Sequence, residues 1–265
     1  MREISLQEAF ASFADQPVVV LGSSPELNNV DLSLLKGVRV IAVNNALDAY
    51  PDADVLVFRN MAVPHTCQAF ADYTGPVCTV QSNKSDIVGV DKDVAFFGVG
   101  AKMGVARDGA AGLGDPLGYS VNTVLFAAQL AALAGSSVGF LGVDYNAKSL
   151  QKKGRHTHFY GYCYSGFFCT ACNSSVSEKK VEWVDDRPSC PRCGVIGRLI
   201  PSSFSGGGGW DSSTQKNVEE IYRWSKGVQE VPMFNLSPNK ASSLKKTSMP
   251  RMALKDFCSV GAPTP

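Results

Sequence analysis

The stretch "PVVVLGSSPELNN", residues 17–29, decides which fold class this sequence of 265 residues is expected to adopt. Its beginning, 17–21, is a continuous apolar run, which is typical of a strand buried on both faces of a parallel sheet. The turn Gly22-Ser23-Ser24 follows at once. Such a turn offers backbone N–H groups and hydroxyls to a phosphate or a nucleotide, and it equally fits a plain connection between a strand and a helix.

Similar apolar runs recur along the chain, and helical patterns separate them. Residues 1–15 predict a short amphipathic helix, and 120–135 predict an apolar helix that begins at Ser120 or Asn122 and stops at Gly135. Another amphipathic helix is expected over 213–227. The further expected strands lie in "VRVIAV", "DVLVFRN", "GPVCTVQSNKS", "VAFFGVG", "SSVGFLGVDYN" and "VQEVPMFNLSP".

Strands that alternate with helices predict an α/β fold, with a mostly parallel sheet covered by helices on both faces. Ligands of such sheets bind at the carboxyl ends of the strands. The polar residues expected at this edge are Ser23, Ser24, Asn44, Asn60, Ser82, Asp144 and Tyr145. The amides of Asn44 and Asn60 suit a nucleobase or a ribose better than a metal, although asparagine is also a common turn residue.

Four of the eight cysteines form two CxxC pairs, Cys169/Cys172 and Cys190/Cys193, with residues 173–189 between them. This spacing is typical of a zinc ribbon, in which two tight turns each supply two thiolates to a tetrahedral ion. Four cysteine ligands leave no position for water, so the sequence predicts a structural zinc and no catalytic metal. Chance pairs or disulfides are the alternative.

Composition excludes several classes of protein. The net charge is +1, so nothing draws the whole chain to nucleic acid or to an anionic membrane. No apolar run approaches the ~18 residues that a membrane helix needs, and charges interrupt the N-terminal region where a secretory signal would be apolar. The expectation is a cytoplasmic protein without membrane insertion, and the oligomeric state stays open.

The segment "RHTHFYGY" carries His156 and His158 just after the expected strand that ends at Asp144. A histidine at this position can act as a general base or contact a phosphate. The neighbouring aromatic residues fit stacking on a sugar or base, and they fit packing against the ribbon as well.

Several of these segments together resemble the bacterial sialyltransferases of glycosyltransferase family 42 and related phage and bacterial proteins. The segments are "VVVLGSSPELNNVDLSLL", "VIAVNNAL", "DVLVFRN", "GYSVNTVLFAAQLAALAGSSVGFLGVDY" and "MFNLSPNKASSL". The resemblance covers most of 17–146 and 210–245. It implies a Rossmann-like, GT-A-like core of the sialyltransferase type, in the cytoplasm of a bacterium or of a phage-infected host.

The resemblance also implies a metal-independent, inverting transfer of a sugar from a nucleotide-sugar donor to a hydroxyl. The donor would contact Gly22, Ser23, Ser24, Asn44, Asn60, Ser120, Asn122 and Asp144. Tyr145 would complete the leaving-group side. The family places its general base, a histidine, where this chain has Trp210 followed by Asp211, so His158 or Asp211 would have to substitute.

The domain organisation follows from the same comparison. Residues 1–146 and 210–250 are expected to form the nucleotide-sugar-binding core, 147–209 an inserted lid that contains the zinc ribbon, and 251–265 a C-terminal tail. The lid has more basic than acidic residues, which suits a polyanionic acceptor such as a hydroxymethylated DNA base. A glycan is the other acceptor considered.

Two functions therefore remain. The first is a glycosyltransferase as described. The second is a nucleotide-binding or catalytically degenerate module whose zinc ribbon contacts nucleic acid or protein. A zinc hydrolase is disfavoured because an all-cysteine site is closed.

Overall fold

The computed structural model describes residues 1–61, 63–87, 90–103, 110–120, 122–144, 165–169, 171–172, 174–177, 180–184, 187–203, 212–240 and 242–260. Strands in this part of the chain are numbered β1 to β15. They are β1 Arg2–Ile4, β2 Pro17–Leu21, β3 Arg39–Val43, β4 Val55–Phe58, β5 Val77–Val80, β6 Asp93–Phe97, β7 Val99–Met103, β8 Leu117–Tyr119, β9 Ser137–Leu141, β10 Ser165–Cys169, β11 Ser174–Ser177, β12 Glu182–Val184, β13 Arg187–Ser189, β14 Leu199–Ser203 and β15 Met233–Asn235.

The described helices divide into α-helices and short 3-10 turns. The α-helices are α1 Leu6–Ala9, α2 Val63–Thr66, α3 Thr123–Ala134, α4 Ser212–Gly227 and α5 Leu254–Val260. The 3-10 helices are Pro25–Asn29, Leu32–Leu35, Asn44–Asp48, Gln81–Asn83 and Ser243–Lys246. None of the helices in the described ranges has the length and apolar character needed to cross a membrane.

Eight strands form the main sheet, in the order β1-β6-β5-β4-β3-β2-β9-β15. Every neighbouring pair in it is parallel. After β1, which lies at one edge beside β6, the chain forms β2, adds β3 to β6 on one side of it, and then returns to place β9 on the other side of β2. The predicted α/β fold with a parallel sheet is confirmed, and its strand order reverses between β2 and β9.

The two faces of β2 pack into different hydrophobic clusters. Val18 and Val20 belong to one cluster, and Val19 and Leu21 belong to the other. All four side chains are fully buried. The first cluster also contains apolar residues of α3 and α4, whereas the second contains residues of the 3-10 helices and of α5. Burial on both faces explains why the sequence of this strand is uninterruptedly apolar.

Helix α3 runs back along the sheet from the carboxyl to the amino ends of the strands. Asn122 caps its start, because its Oδ1 accepts the Val124 N–H at 2.9 Å. Gly135 follows its last residue, and the next residue, Ser136, donates its N–H to the Gln16 carbonyl just before β2. Of the two starts that the sequence allows, the structure selects Asn122, and the stop at Gly135 is confirmed.

Residues 165–203 contain two small antiparallel sheets. The first has the order β11-β10-β14, and the second is the hairpin of β12 and β13. Five residues form the buried cluster of this region: Cys169, Val176, Val181, Cys190 and Leu199. We refer to residues 165–203 as the ribbon.

Two terminal segments differ from the sequence-based expectation. The expected helix over 1–15 is interrupted, since Arg2–Ile4 form strand β1, which pairs with β6, and only Leu6–Ala9 form an α-helix. Within the expected tail, 254–260 form helix α5, and its Phe257 is buried against the second cluster. Both segments are held by contacts with distant parts of the chain, which a local pattern does not reveal.

Candidate nucleotide site and metal centre

The predicted nucleotide-sugar residues follow the strands at one edge of the sheet. Gly22 comes directly after β2, Asn44 directly after β3, and Asp144 three residues after the end of β9. Strands β3, β2 and β9 are parallel neighbours, so their carboxyl ends lie side by side. The strand order reverses between β2 and β9, and this is the place at which parallel α/β sheets usually bind their ligands. We refer to this place as the crevice.

Two glycines bring the backbones together at the crevice. The Gly22 N–H donates to the Leu141 carbonyl at 2.8 Å, and the Ser24 N–H donates to the Gly142 carbonyl at 2.9 Å. A Cβ on Gly22 would lie 2.5 Å from the Gly142 oxygen, which is too close for any side chain. Gly142 itself has φ of +67°, a region that favours glycine. The turn therefore needs glycine at both positions.

Asp144 joins three segments of the chain below this turn. Its carboxylate accepts the Ser24 hydroxyl on Oδ2 and the Ser237 hydroxyl on Oδ1, each at 2.5 Å. Its carbonyl accepts the Ser243 N–H at 2.9 Å. The side chain is buried, with 1% of the residue exposed. Since both carboxylate oxygens are engaged, Asp144 orients the two serine hydroxyls and holds the segments after β2, β9 and β15 together.

Asn44 combines two unusual features. Its φ is +53°, in the left-handed region that only a few non-glycine residues adopt. Its Oδ1 is buried and has no hydrogen-bond partner among the described residues. A buried acceptor without a donor costs free energy, and such atoms in native proteins call for an explanation such as a ligand.

Ser242 presents a second unsatisfied group in the loop after β15. The residue is 1% exposed, and its Oγ has no hydrogen-bond partner in the described part of the chain. Its neighbour Ser243 donates to Asp144, so Ser242 is one residue from a direct contact with the crevice. Both orphan oxygens thus belong to segments that border the crevice.

The start of α3 lies at the same edge of the sheet. Arg59, which follows β4, donates from Nη1 to the Ser120 carbonyl at 3.4 Å. The buried Ser120 hydroxyl accepts the Asn122 N–H at 3.2 Å. Asn83 donates to the Arg59 carbonyl and to the Thr79 hydroxyl, each at 2.8 Å, and so ties the ends of β4 and β5 together. The positive end of the α3 dipole therefore faces the carboxyl edge.

Of the remaining predicted residues, two lie after strands of the sheet and three lie outside the described residues. Ser23 lies half-buried in the turn between Gly22 and Ser24, and Asn60 is exposed after β4, where its carbonyl accepts the Val63 N–H at 3.0 Å. Tyr145, His158 and Asp211, the three predicted catalytic residues, lie outside the described residues. Their roles stay predictions.

The four predicted metal ligands come together. The Sγ atoms of Cys169, Cys172, Cys190 and Cys193 all lie within 4.8 Å of one another. The Cys169–Cys193 and Cys172–Cys190 sulfur pairs are each 3.7 Å apart. A tetrahedral ion with metal–sulfur bonds of about 2.3 Å separates its sulfur atoms by about 3.8 Å. These residues can therefore hold one metal ion between them.

Each cysteine pair lies on a tight turn at the end of a strand. Cys169 ends β10, and Cys190 directly follows β13. The Gly194 N–H donates to the Cys190 carbonyl at 2.8 Å, and Gly194 has φ of +70°, which explains the glycine after the second pair. Burial raises the pKa of the Cys190 thiol to about 12, so a metal ion that binds there must displace its proton.

Sequence reasoning missed the polar residues of the loop after β15. The loop donates to Asp144 through Ser237 and Ser243, and it contains the orphan oxygen of Ser242. The only sequence signal was the turn "SPN" directly after a buried strand. Arg59 and Asn83 were missed for a similar reason, because their partners are distant in sequence.

Comparison of the chain with protein-family models, with curated proteins and with solved structures finds no match.

Proposed function

We propose that this chain is a glycosyltransferase that binds a nucleotide-sugar donor in the crevice and transfers the sugar to a hydroxyl. The observation that carries the proposal is that two of the buried oxygens without a hydrogen-bond partner among the described residues, Asn44 Oδ1 and Ser242 Oγ, lie on segments that border the crevice. A ligand with hydroxyl or amino hydrogens, such as a ribose or a nucleobase, would satisfy both. The reversal of strand order makes this the usual ligand position in a parallel α/β sheet.

The surroundings suit a phosphate next to that ribose. The Ser24 and Ser237 hydroxyls donate their hydrogens to Asp144 and hold the turn after β2 in place, so the phosphate would be stabilised from the start of α3. The capped start of α3 adds a positive dipole at the same edge. In the proposed reaction this helix start stabilises the negative charge that develops on the departing nucleotide. The acceptor hydroxyl would lose its proton to His158 or Asp211.

We also propose that the ion held by the four cysteines is zinc and that its role is structural. All four donors are thiolates, a set that leaves no open coordination position for substrate or water. The described part of the ribbon has a hydrophobic cluster of only five residues, and a metal contributes most to folding where the apolar core is small. Elemental analysis is expected to find one zinc per chain, and a preparation that is folded in the ribbon yet free of metal would contradict this role.

Nucleotide binding can be tested with a variant that removes only the orphan acceptor. Asn44→Gly deletes the Oδ1 atom, and the glycine that replaces Asn44 tolerates the positive φ of this position. We expect it to weaken the binding of the preferred nucleotide roughly 2- to 10-fold in calorimetric titrations with a panel of nucleotides and nucleotide sugars. Glu230→Gly is the matched control. Glu230 also has a positive φ (+57°), and it is an exposed residue outside the segments that border the crevice.

The outcomes separate three cases. Binding together with slow release of free nucleotide from one nucleotide sugar supports the transferase. Binding without release from any donor supports the nucleotide-binding module instead. Failure of every nucleotide and nucleotide sugar to bind the zinc-loaded chain would overturn the proposed function.

A further inference from the structure

The loop after β15 carries a concentration of positive charge. Between Ser237 and Arg251 the sequence has Lys240, Lys245, Lys246 and Arg251 and no acidic residue, although the whole chain has a net charge of only +1. All four cationic side chains are exposed. We call these four residues the basic rim.

Hydrogen bonds place the basic rim beside the crevice. Ser237 and Ser243, which both donate to Asp144, flank Lys240 in sequence. Arg251 donates from Nη2 to the Ser237 carbonyl at 2.6 Å. The Lys245 ammonium donates to the Lys240 backbone carbonyl at 3.3 Å, which holds the Lys245 side chain against this loop. The charges are therefore held at the border of the proposed donor site.

Among the described residues, two carboxylates contact this loop, and neither forms an ion pair with its lysines. Asp144 is buried and bonded to the serines. Glu219 of α4 accepts the Ser248 N–H at 2.6 Å on Oε1, and its Oε2 is buried. Four positive charges in one short loop repel one another unless an anionic partner lies among them.

The ribbon presents a second exposed feature of complementary chemistry. Trp183 on β12 is 59% exposed, an unusual state for the largest apolar side chain. Exposed Arg187, Arg192 and Arg198 belong to the same small region, and the acidic residue described there is Glu182. Three further acids of the ribbon sequence, Glu178, Asp185 and Asp186, lie outside the described residues. An exposed aromatic ring among arginines is the kind of platform on which unpaired bases stack.

We infer that this chain binds single-stranded nucleic acid, with the basic rim on phosphates and Trp183 stacked on a base. Two separate observations favour it over a protein partner: a run of four cations beside the crevice and an exposed tryptophan among arginines. The binding itself does not depend on the proposed transferase activity. Only the further step, that the nucleic acid supplies the acceptor hydroxyl, rests on that proposed function.

The experiment measures fluorescence anisotropy of a labelled oligothymidylate with the full-length, zinc-loaded chain and no sugar donor. The rim variant is Lys240→Gln, Lys245→Gln, Lys246→Gln. We expect at least a 10-fold weaker affinity. We also expect the slope of log affinity against log salt concentration, measured between roughly 50 and 200 mM, to fall in magnitude by about 2, since each phosphate contact to a single strand contributes about 0.7. The control with the same change of charge is Lys36→Gln, Arg223→Gln, Lys226→Gln, all exposed residues elsewhere.

The ribbon contact is tested separately. Trp183→Ala is expected to weaken the same binding by roughly 5-fold or more, while Trp183→Phe retains most of the affinity because a ring remains for stacking. Val228→Ala, which removes another strongly exposed apolar side chain, serves as the control and should change nothing.

Three results would overturn the inference. Unchanged affinity of the rim variant removes the phosphate contact, and unchanged affinity of Trp183→Ala removes the stacking contact. Tighter binding of a duplex than of the oligothymidylate contradicts single-strand recognition. Since no donor is present, failure here leaves nucleotide binding in the crevice standing, whereas nucleic-acid binding without any nucleotide binding would count against the transferase alone.

Discussion

The parallel sheet and the ribbon of this chain are stabilised by different means. The sheet packs two large hydrophobic clusters, one on each face, and fully buries phenylalanines such as Phe58, Phe97 and Phe126. Among the described residues of the ribbon, five form its buried hydrophobic cluster, and two of them, Cys169 and Cys190, are proposed metal ligands. The comparison teaches that a small segment with four clustered cysteines can rely on a metal ion where the sheet relies on a large apolar core, which is the role proposed for the ribbon.

Loss of the metal should produce the largest difference between the two regions. Cys169→Ser removes one ligand, and structural zinc in small domains contributes apparent binding free energies of about 10–16 kcal/mol. We expect amide hydrogen exchange to lose its protection throughout 165–203 while β2, β3 and β9 keep theirs. Cys258→Ser, which changes a thiol outside the cluster, should leave both regions protected. Equal loss of protection in sheet and ribbon would show that the two are not stabilised separately.

A cavity in the sheet core should have the reverse effect. Phe126 is fully buried in α3, with its ring 5.4 Å from that of Phe97. Phe126→Ala is expected to lower the free energy of unfolding by about 3–5 kcal/mol, measured by urea denaturation, with the zinc content unchanged. Val228→Ala removes exposed side-chain atoms and should have no measurable effect. Loss of zinc from the Phe126 variant would indicate that the ribbon depends on the core.

A smaller change tests the crevice within the core. Gly22→Ala forces a methyl group onto the Gly142 carbonyl, and overpacking of this kind costs about 1–3 kcal/mol. We expect that loss of stability together with weakened nucleotide binding, because the two strand ends must separate. Gly112→Ala is the matched control, since a Cβ there meets no atom within 4 Å. Full nucleotide affinity in the Gly22 variant would move the proposed site away from this turn.

The smallest effect is expected at the edge of the sheet. Arg2 donates to the Asp93 carboxylate at 2.8 and 2.6 Å, and this hydrogen bonding lowers the pKa of Asp93. The stabilisation is present above the unfolded pKa of about 3.9 and is lost as the pH falls through the lower folded pKa. Asp93→Asn should therefore reduce stability slightly at neutral pH, and this difference should disappear once the pH lies below the lowered pKa of Asp93. Exposed Asp91→Asn is the control, and identical pH profiles of the two variants would contradict the assignment.

The sequence predicted those strands whose burial shows as a continuous run of apolar residues. Strand β4 occupies the expected 55–58, and β2 is buried on both faces as its apolar run indicates. Strand β1 could not be predicted, because "REI" is short and largely exposed and becomes a strand only by pairing with residues 93–95. Pairing at such separation leaves no local signal.

The two candidate sites differ in the same way. The metal ligands could be identified from spacing, since each CxxC pair supplies two neighbouring donors. The crevice could be predicted only in part: Gly22, Ser24 and Asp144 follow strands, whereas Ser237 and Ser242 depend on how the loop after β15 folds back. The metal site of the ribbon could therefore be predicted from local spacing, whereas the crevice of the sheet depends on contacts between distant segments.

The pairing of Ser165 with Ser203 has a consequence for the chain that connects β9 to β15. That connection covers residues 142–232, yet the ribbon is entered and left at two adjacent points. Once the ribbon has folded, its residues no longer lengthen the loop that β15 must close to reach β9, and closing a loop of roughly half the length costs about 0.6 kcal/mol less. The ribbon is thus an insertion that starts and ends at adjacent points of the chain. A short linker from 165 to 203 could replace it without moving β9 or β15.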